Sequence, residues 1–165
     1  MSVKEHRKEA PKSVRCFVLT ISDTRSLEND PSGDAIADAL NRAGHQITGR
    51  DLVRDVPESV QQTIRTQCSH VDAIVMTGGT GITARDSTYE AVATLLDKRL
   101  DGFGELFRML SYNEIGSAAM LSRACAGTIG RTVVFSLPGS RNAVALAMER
   151  LIVPELPHIV RELNR

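Results

Sequence analysis

Short apolar runs alternate along this chain with segments whose apolar residues recur at helical spacing, and no other feature constrains the fold as strongly. Val14 to Ile21 is a nearly continuous apolar run, which is typical of a strand buried on both faces. The next segment has the i, i+3, i+4, i+7 spacing of an amphipathic helix, at Ile36, Ala39, Leu40 and Ala43. Gly44 stands directly after them, where a glycine commonly ends a helix. The pattern therefore predicts a strand followed by a helix.

The same alternation continues along the sequence. It predicts three more strands, at Gln46 to Val53, Asp72 to Thr77 and Arg131 to Leu137. It also predicts four more helices, whose apolar faces are Val60, Ile64 and Cys68; Tyr89, Val92, Ala93, Leu96 and Leu100; Phe103, Leu106, Phe107 and Leu110; and Val144, Ala147, Met148, Leu151 and Ile152. Such alternation with short connections is typical of a three-layer α/β/α fold, in which helices cover both faces of a mostly parallel sheet.

The size of the chain predicts one domain. The sequence has 165 residues, and chains of this length rarely divide into two domains. The first thirteen residues, MSVKEHRKEAPKS, are polar and lack the apolar core of a signal peptide. We therefore expect residues 1–13 to be a disordered tail and residues 14–165 to form a single α/β domain. The longest apolar runs are too short to span a bilayer, and we expect a cytoplasmic protein.

Composition argues against several classes of function. Lysine plus arginine and aspartate plus glutamate number 20 each, which argues against broad electrostatic binding to nucleic acid or an anionic membrane. Three widely spaced cysteines, Cys16, Cys68 and Cys125, indicate reduced core thiols rather than disulfides. The spacing of a zinc motif is absent from the four histidines, His6, His45, His70 and His158, so the sequence predicts no zinc site.

Polar loops follow the predicted strands at the points where the strands end. The first strand is followed by Ser22-Asp23-Thr24-Arg25 and the second by Arg54-Asp55. The third is followed by the loop Gly78 to Asp86, and the last by Pro138-Gly139-Ser140-Arg141-Asn142. Each loop alone is compatible with an ordinary turn. Because ligands of open α/β sheets bind at the carboxyl ends of the strands, the four loops together predict a binding site at one edge of the sheet.

The stretch MTGGTGITARD, residues 76–86, predicts a phosphate site. Backbone N–H groups from Gly78 to Gly81 and the start of the next helix are the donors that anions bind. No Gly-Lys-Ser/Thr follows, so the stretch is not a Walker A loop. Gly79, Gly81 and Ala84 match the dinucleotide pattern, but the loop follows the third strand, and the acids about 20 residues on lie in or after a helix. This placement argues against hydride transfer.

A carboxylate at the end of a phosphate loop has two interpretations. Mg²⁺ takes one or two carboxylates together with phosphate oxygens, so Asp86 and Asp55 are candidate ligands for magnesium that arrives with the phosphate. Alternatively, Asp86 is a favourable charge at a helix N-terminus, since Ser87-Thr88-Tyr89-Glu90 fits a capping box and predicts a helix beginning near Asp86. The residues by themselves indicate a metal–nucleotide or phosphorylated-ligand site and leave both interpretations open.

Five motifs resemble the molybdopterin adenylyltransferase family, of the MogA and MoaB type. In chain order they are TISD (20–23), TGGTGITARD (77–86), DGFGELFRMLS (101–111), MLSRACAG (120–127) and LPGSRNAV (137–144). The resemblance extends over about residues 14–160 and is nearer to the MoaB type. It implies the MogA/MoaB-like fold, and a homohexamer built from trimers or, as in the MogA type, a homotrimer.

The resemblance also implies a reaction, the transfer of AMP from ATP to molybdopterin with release of pyrophosphate and with Mg²⁺ as cofactor. It implies that Asp55 and Asp86 are the catalytic and metal-binding acids. It places the nucleotide and pterin pocket at Ser22, Asp23, Gly78, Gly79, Thr80, Gly81, Pro138, Gly139, Ser140 and Asn142, with weaker matches at Glu105, Ser122 and Arg123. It further implies a transient hand-over of the product to a molybdenum insertion enzyme.

Two motifs depart from the family pattern. The common D-V-T-P-E is Asp86-Ser87-Thr88-Tyr89-Glu90 here, and the common P-D-E is Arg54-Asp55-Val56. Because the chain retains the aspartate in both motifs, the sequence favours an active enzyme. A non-catalytic molybdopterin carrier and an oligomeric scaffold are the alternatives.

Overall fold

A computed structural model describes residues 2–165 and shows strands and helices in alternation. The strands are β1 (Arg15–Ile21), β2 (Gln46–Val53), β3 (Ala73–Thr77), β4 (Lys98–Arg99), β5 (Cys125–Ile129) and β6 (Thr132–Leu137). The helices are α1 (Val3–Lys8), α2 (Pro31–Arg42), α3 (Pro57–Cys68), α4 (Thr88–Ala93), α5 (Asp101–Ile115), α6 (Arg141–Ala147) and α7 (Val153–Leu163). A 3₁₀ helix, Gly116–Leu121, follows α5, and a π-helical turn, Met148–Ile152, joins α6 to α7.

The strands form one mostly parallel sheet in the order β2-β1-β3-β6-β5-β4. The first four strands of this order are parallel, and β5 and β4 each run antiparallel to the preceding neighbour. Thr20 of β1 is in register with Thr77 of β3, which is in register with Leu137 of β6. The loops that follow these three strands therefore begin at the same level of one sheet edge, as the sequence predicts.

Helices cover both faces of the sheet because successive strand residues point to opposite sides. One core contains Val18 and Val75 of the sheet and is covered by α2, α5, α6 and α7. The other core contains Leu19 and Met76 and is covered by α3 and α4. The three inner parallel strands, β1, β3 and β6, are buried on both sides, which explains their nearly continuous apolar sequences, whereas the edge strand β2 is partly exposed. The predicted three-layer α/β/α architecture is confirmed.

The sequence pattern missed two strands and misplaced one helical face. The helix predicted with Tyr89, Val92, Ala93, Leu96 and Leu100 on one side is present as α4, but its extension to Leu96 and Leu100 is wrong, since α4 ends at Ala93. After α4 the chain pairs with β5 instead: the Asp97 N–H donates to the Thr128 carbonyl and the Leu100 N–H to the Ala126 carbonyl, both at 2.8 Å. These long-range hydrogen bonds form β4, which is too short to show a period in the sequence.

The N-terminal segment differs from the expected disordered tail. Met1 lies outside the described residues, but Val3–Lys8 form α1, whose Ser2 and Glu5 make a reciprocal capping box. The helix lies against α7 through charged side chains, among them the ion pair of Arg7 with Glu155. None of the residues of α1 is buried, which is why an apolar pattern gave no sign of the helix.

All three cysteines are free thiols, as predicted. Burial, with a smaller effect from the charge of Asp72, raises the pKa of Cys16 to about 12. Burial likewise raises the pKa of Cys68 to about 11. Thiolates are the reactive form, so these two side chains are inert at neutral pH. Within residues 2–165, no helix has both the length and the apolar character needed to cross a bilayer.

Asp30 connects the sheet to α2 at the carboxyl edge. It is the N-cap of α2, and its fully buried carboxylate accepts hydrogen bonds from the Thr20 hydroxyl at 2.5 Å, the Gly33 N–H at 3.0 Å and Arg50 at 3.1 Å. Burial opposes ionisation, but the hydrogen bonds from Thr20, Gly33 and Arg50 outweigh it and hold the pKa of Asp30 below its usual value. The group is therefore a buried and paired charge.

We expect Asp30→Asn to lower the free energy of unfolding by about 3 kcal/mol at pH 7, because it removes a buried charge that pairs with Arg50 and its single amide oxygen cannot accept all the hydrogen bonds from Thr20, Gly33 and Arg50. The folded-state pKa lies below the unfolded value of about 3.9, so the stabilisation is present above that pH and is lost as the pH falls through the folded pKa. Urea unfolding at pH 7 and pH 3 measures both effects. Asp34→Asn is the control: this exposed carboxylate pairs with the same Arg50 at 2.7 Å, and we expect a loss under about 1 kcal/mol. Equal losses from the two variants would contradict the assignment.

Candidate functional site

The loop after β3, from Gly78 to Asp86 and here called the glycine loop, turns at two glycines. Gly78 and Gly79 have positive φ angles of 109° and 71°. A Cβ atom at Gly78 would overlap the carbonyl oxygen of Ile21, and one at Gly79 would overlap the hydroxyl oxygen of Thr88. Both the backbone conformation and the lack of space therefore require glycine. The loop passes directly between the end of β1 and the beginning of α4.

Two adjacent cavities open at this edge of the sheet. The first, here called the glycine cavity, has a volume of about 420 Å³ and is lined by Ser22, Arg25, Gly78, Gly79, Gly139 and Ser140, among others. The second, here called the acid cavity, has a volume of about 530 Å³ and is lined by Asp23, Arg54, Asp55, Val56, Arg85 and Ser87, among others. Thr24 lines both cavities, so the two form one extended depression. The structure thus brings together the loops that follow β1, β2, β3 and β6.

Asp55 is held against the glycine loop from two sides. Its backbone N–H donates to Asp23 Oδ1 at 3.1 Å, and its own Oδ1 accepts the Ser87 hydroxyl at 2.7 Å. Its Oδ2 lies 2.8 Å from the position that a Cβ of Gly79 would occupy. The predicted capping box at Ser87 is wrong, because this hydroxyl bonds to Asp55 and makes no cap hydrogen bond to α4. Ser87 orients a site carboxylate instead.

Asp86 lies at the other end of the same loop. Its Oδ2 accepts hydrogen bonds from the Thr83 hydroxyl at 2.6 Å and the Thr83 N–H at 2.9 Å. The Thr83 hydroxyl, helped by the N–H groups of Thr83 and Gly81 and the charge of Arg123, holds the pKa of Asp86 below its usual value against the opposing effect of partial burial. Asp86 is therefore a carboxylate at neutral pH, 2.8 Å from where a Cβ of Gly81 would lie.

The chemistry of these donors fits a magnesium ion. Mg²⁺ prefers oxygen ligands and takes one or two carboxylates beside phosphate oxygens and water. The carboxylates of Asp55 and Asp86 border the loop at Gly79 and Gly81, the positions where side chains are missing. Arg25, Arg54 and Arg85 line the two cavities and place positive charge there. Sequence reasoning assigned these arginines no role, although each stands within two residues of a loop aspartate.

Arg123 donates hydrogen bonds to three carbonyl groups of the glycine loop. Its backbone N–H donates to the Thr80 carbonyl at 3.0 Å, and its guanidinium donates to the Gly81 carbonyl at 2.9 Å and the Asp86 carbonyl at 3.2 Å. The same guanidinium pairs with Glu90 and lies 5.2 Å from the centroid of the Tyr89 ring. The sequence motif suggested a ligand contact for this residue, whereas the structure shows it bonded to the loop that carries Asp86.

We expect Arg123→Ala to loosen this loop. The carbonyls of Gly81 and Asp86 would lose their common donor, so amide hydrogen exchange in residues 82–86 should become at least about 10-fold faster. Hydrogen exchange read by mass spectrometry measures the change. Arg123→Lys should not restore protection, because an ammonium cannot bridge the two carbonyls as the guanidinium fork does.

The matched control for Arg123 is Arg99→Ala. Arg99 lies near the same Tyr89 ring and bonds to its hydroxyl and to Asp101. We expect exchange in residues 82–86 to be unchanged in this variant. Equal acceleration in the two variants would show that Arg123 acts through general packing and not through its bonds to the loop.

Most of the other predicted site residues lie at the two cavities and support their walls. The Ser22 hydroxyl accepts from the backbone N–H groups of Thr24 and Arg25, and the Ser140 hydroxyl caps α6. Carbonyl groups of the last loop are fixed in the same region: that of Pro138 accepts the Thr77 hydroxyl at 2.8 Å, and that of Gly139 accepts the Ser32 hydroxyl at 2.7 Å. Thr80, within the glycine loop, is buried.

Four predicted site residues belong to the loops at this edge but do not line either cavity, namely Thr80, Gly81, Asp86 and Pro138. Three others lie elsewhere. Ser122 lines a separate cavity of about 360 Å³ that also contains Arg99, Arg108 and Arg123. Asn142 lines a cavity of about 390 Å³ together with residues of α5 and the π-helical turn. Glu105 is exposed on α5. A ligand contact by any of these three stays a prediction.

Fold and site together define a class of protein, an α/β protein with a glycine loop and two acids at the carboxyl edge of a mostly parallel sheet. The family described as "probable molybdopterin binding domain" matches residues 17–158 of the chain. The match extends over most of the sequence, and the chain belongs to this family.

Relatives of known name agree with this assignment. Molybdenum cofactor biosynthesis protein B of Bacillus cereus is 58% identical over 168 residues, which is 100% of this chain and 99% of the relative. The protein of the same name from Bacillus subtilis is 52% identical over 168 residues, again 100% of this chain and 99% of the relative. The resemblance to the MoaB type that the motifs indicate is confirmed.

Solved structures show the same fold. A crystal structure of molybdenum cofactor biosynthesis protein B superposes with a TM-score of 0.91 at 58% identity, covering 95% of this chain and 99% of the other. The tungsten cofactor synthesizing protein MoaB from Pyrococcus furiosus gives 0.85 at 40% identity, covering 94% and 100%. A structure of MogA gives 0.83 at 26% identity, covering 90% and 99%. The MogA/MoaB-like fold is therefore confirmed.

Proposed function

We propose that this protein is a molybdopterin adenylyltransferase of the MoaB type, which acts in molybdenum cofactor biosynthesis. It transfers AMP from MgATP to the phosphate of molybdopterin and releases pyrophosphate. The observation that carries the proposal is that two carboxylates border the glycine loop at the carboxyl edge of the sheet, Asp55 from the loop after β2 near Gly79 and Asp86 from the end of the glycine loop itself near Gly81. The family and the names of its relatives support molybdopterin as the ligand.

The reaction needs no nucleophile from the protein. An oxygen of the molybdopterin phosphate attacks the α-phosphorus of ATP, a new P–O–P bond forms, and the bond from the α-phosphorus to the bridging oxygen of the β-phosphate breaks. The task of the residues is to align the two phosphates and to neutralise their charge. Magnesium held by Asp55 and Asp86 would supply Lewis-acid neutralisation of the phosphate oxygens.

The two cavities suit a ligand with two parts. The N–H groups of Gly79 and Thr80 bind phosphate oxygens beside the glycine cavity, since the Gly78 N–H donates to the Leu137 carbonyl and the Gly81 N–H to Asp86. Arg54 and Arg85 bind further phosphate charge in the acid cavity, next to Asp55. Ser87 and Thr83 keep the two carboxylates oriented through their hydroxyl groups, so the acids do not need to reorganise when the ligands bind.

The test is direct. The purified protein is incubated with molybdopterin and ATP, and pyrophosphate release is measured with magnesium and with excess chelator. We expect release that depends on both molybdopterin and magnesium. Tight molybdopterin binding with no pyrophosphate release and no dependence on ATP would instead support the non-catalytic carrier, and no binding of either ligand would support the oligomeric scaffold.

We also propose a homo-oligomer, built through an apolar surface on α5 and the 3₁₀ helix that follows it. The surface consists of side chains that are 48% to 74% exposed, namely Leu106, Met109, Tyr112, Ile115, Met120 and Leu121. A cluster of large exposed apolar side chains on adjoining helical segments is typical of a protein interaction site. We expect a trimer or hexamer for the natural sequence and dissociation to smaller species for Met109→Glu, measured by light scattering after size exclusion. Leu27→Glu, at an equally exposed leucine of another surface, should leave the mass unchanged.

A further inference from the structure

A cluster of two histidines and a glutamate joins α1 to α7. His6 lies on α1, and His158 and Glu162 lie one turn apart on α7. His6 Nδ1 is 3.1 Å from Glu162 Oε1, and His158 Nε2 is 4.0 Å from the same oxygen. One ligand atom from each residue can be chosen so that all three lie within 4.8 Å of one another. The sequence predicted no zinc motif because 152 residues separate the two histidines.

The second nitrogen of His158 is already oriented. His158 Nδ1 lies 2.9 Å from Glu155 Oε2, and the other oxygen of Glu155 pairs with Arg7 of α1. A histidine that binds a metal through one nitrogen commonly bonds a carboxylate through the other. The contact with Glu155 therefore directs His158 Nε2 towards Glu162 and His6, as a metal ligand requires.

The donor set selects a class of ion. Two imidazole nitrogens and one carboxylate oxygen suit Zn²⁺ and its first-row neighbours, whereas Mg²⁺ prefers oxygen ligands alone. Bonds of roughly 2.0–2.2 Å to one ion place neighbouring tetrahedral donors roughly 3.3 Å apart. The distance between His6 and Glu162 already matches this value, and a side-chain rotation closes the distance from His158. Water would take the remaining position.

The surroundings leave the cluster accessible. The side chains of His6 and His158 are 17% and 19% exposed, so they are shielded but open to solvent. Arg161 and Arg165 pair with Glu162 at 2.7 Å and 3.2 Å and compete with a cation for its oxygens. The Arg161 side chain is 12% exposed and that of Glu162 39%, so this pair is only partly screened by solvent, but the carboxylate retains lone pairs for a metal.

We propose that His6, His158 and Glu162 form a binding site for a divalent transition metal of the zinc type, with Glu155 orienting His158. The ion connects α1 to α7, and both helices are distant in sequence from the glycine loop. This site is independent of the magnesium proposed at Asp55 and Asp86, and its test uses no enzymatic activity.

Calorimetric titration with zinc chloride tests the proposal, using the full chain without an added histidine tag and after removal of metals by a chelator. We expect one zinc ion per chain, and at least 10-fold weaker binding by His158→Ala and by Glu162→Gln. Magnesium chloride should give no competing binding. His70→Ala is the matched control, because His70 is exposed after α3 and should leave zinc affinity unchanged. Equal zinc affinity in the wild type and in His158→Ala would overturn the proposal, as would a lack of binding by the wild type.

Hydrogen exchange of residues 3–9 provides a second measurement. If the ion ties α1 to α7, zinc should slow exchange in this segment in the wild type and leave it unchanged in His6→Ala. Zinc that binds without slowing this exchange would overturn the structural role. Circular dichroism of each variant shows that the remainder of the domain is folded, so a loss of binding is assigned to the missing ligand.

Discussion

Asp86→Asn should lower the rate of pyrophosphate release from molybdopterin and MgATP by at least about 100-fold. The asparagine has nearly the same shape, and its carbonyl oxygen can still accept the hydrogen bonds that Thr83 donates at 2.6 Å and 2.9 Å. The loop conformation is therefore retained while the negative charge is removed. Because the proposed role of Asp86 is to hold a cation beside the phosphates, charge and not shape decides the rate. The measurement is the turnover rate at saturating ATP with increasing magnesium.

Two comparisons separate the charge of Asp86 from general effects. Asp38→Asn removes an equally charged group from the exposed side of α2, and its rate should equal that of the wild type. The unfolding midpoint of Asp86→Asn should lie close to that of the wild type, because the hydrogen bonds at the loop remain. Raising the magnesium concentration should not restore the rate of Asp86→Asn. Full turnover by this variant would show that Asp86 has no part in the proposed mechanism.

The fold was predictable where strands are long and buried on both faces. β1, β3 and β6 are nearly continuous apolar runs, since each lies between two helical layers, and their bounds agree with the sequence pattern within one or two residues. β5 was missed because Cys125–Ile129 contains alanine, glycine and threonine, which resemble a turn. Its identity as a strand comes from pairing with β6, a contact that no local pattern encodes.

The site was predictable in its location but not in its connections. Strand ends place the four loops at one edge, and this follows from the parallel topology alone. The Ser87 hydroxyl bonds to Asp55 and does not cap α4. This contact depends on how closely the loops after β2 and β3 approach each other. In the same way, Arg123 is 37 residues from Asp86 and bonds to its carbonyl only because β5 and the 3₁₀ helix bring it under the loop. Side-chain partners at long sequence separation are determined by packing.

Gly78→Ala should lower the free energy of unfolding by about 3 kcal/mol or more and abolish turnover. Gly78 has a φ angle of 109°, which an alanine adopts only with strain. Its Cβ would overlap the backbone carbonyl of Ile21, which cannot rotate away because β1 is held between β2 and β3. The Gly78 N–H also donates to the Leu137 carbonyl at 2.9 Å, so a shift of the backbone breaks the link between β3 and β6. Urea unfolding measures the loss.

Gly102→Ala is the matched control for this substitution. Gly102 lies in the first turn of α5 without a positive φ angle, and a Cβ there would meet nothing within 4 Å. We expect the free energy of unfolding to stay the same or to rise by up to about 1 kcal/mol, since alanine favours the helix and restricts the unfolded chain. If Gly78→Ala were as stable as Gly102→Ala, the backbone at the end of β1 would have to move easily to make room for the new Cβ atom. The glycine loop would then be too mobile to hold phosphate groups in the geometry that adenylyl transfer needs.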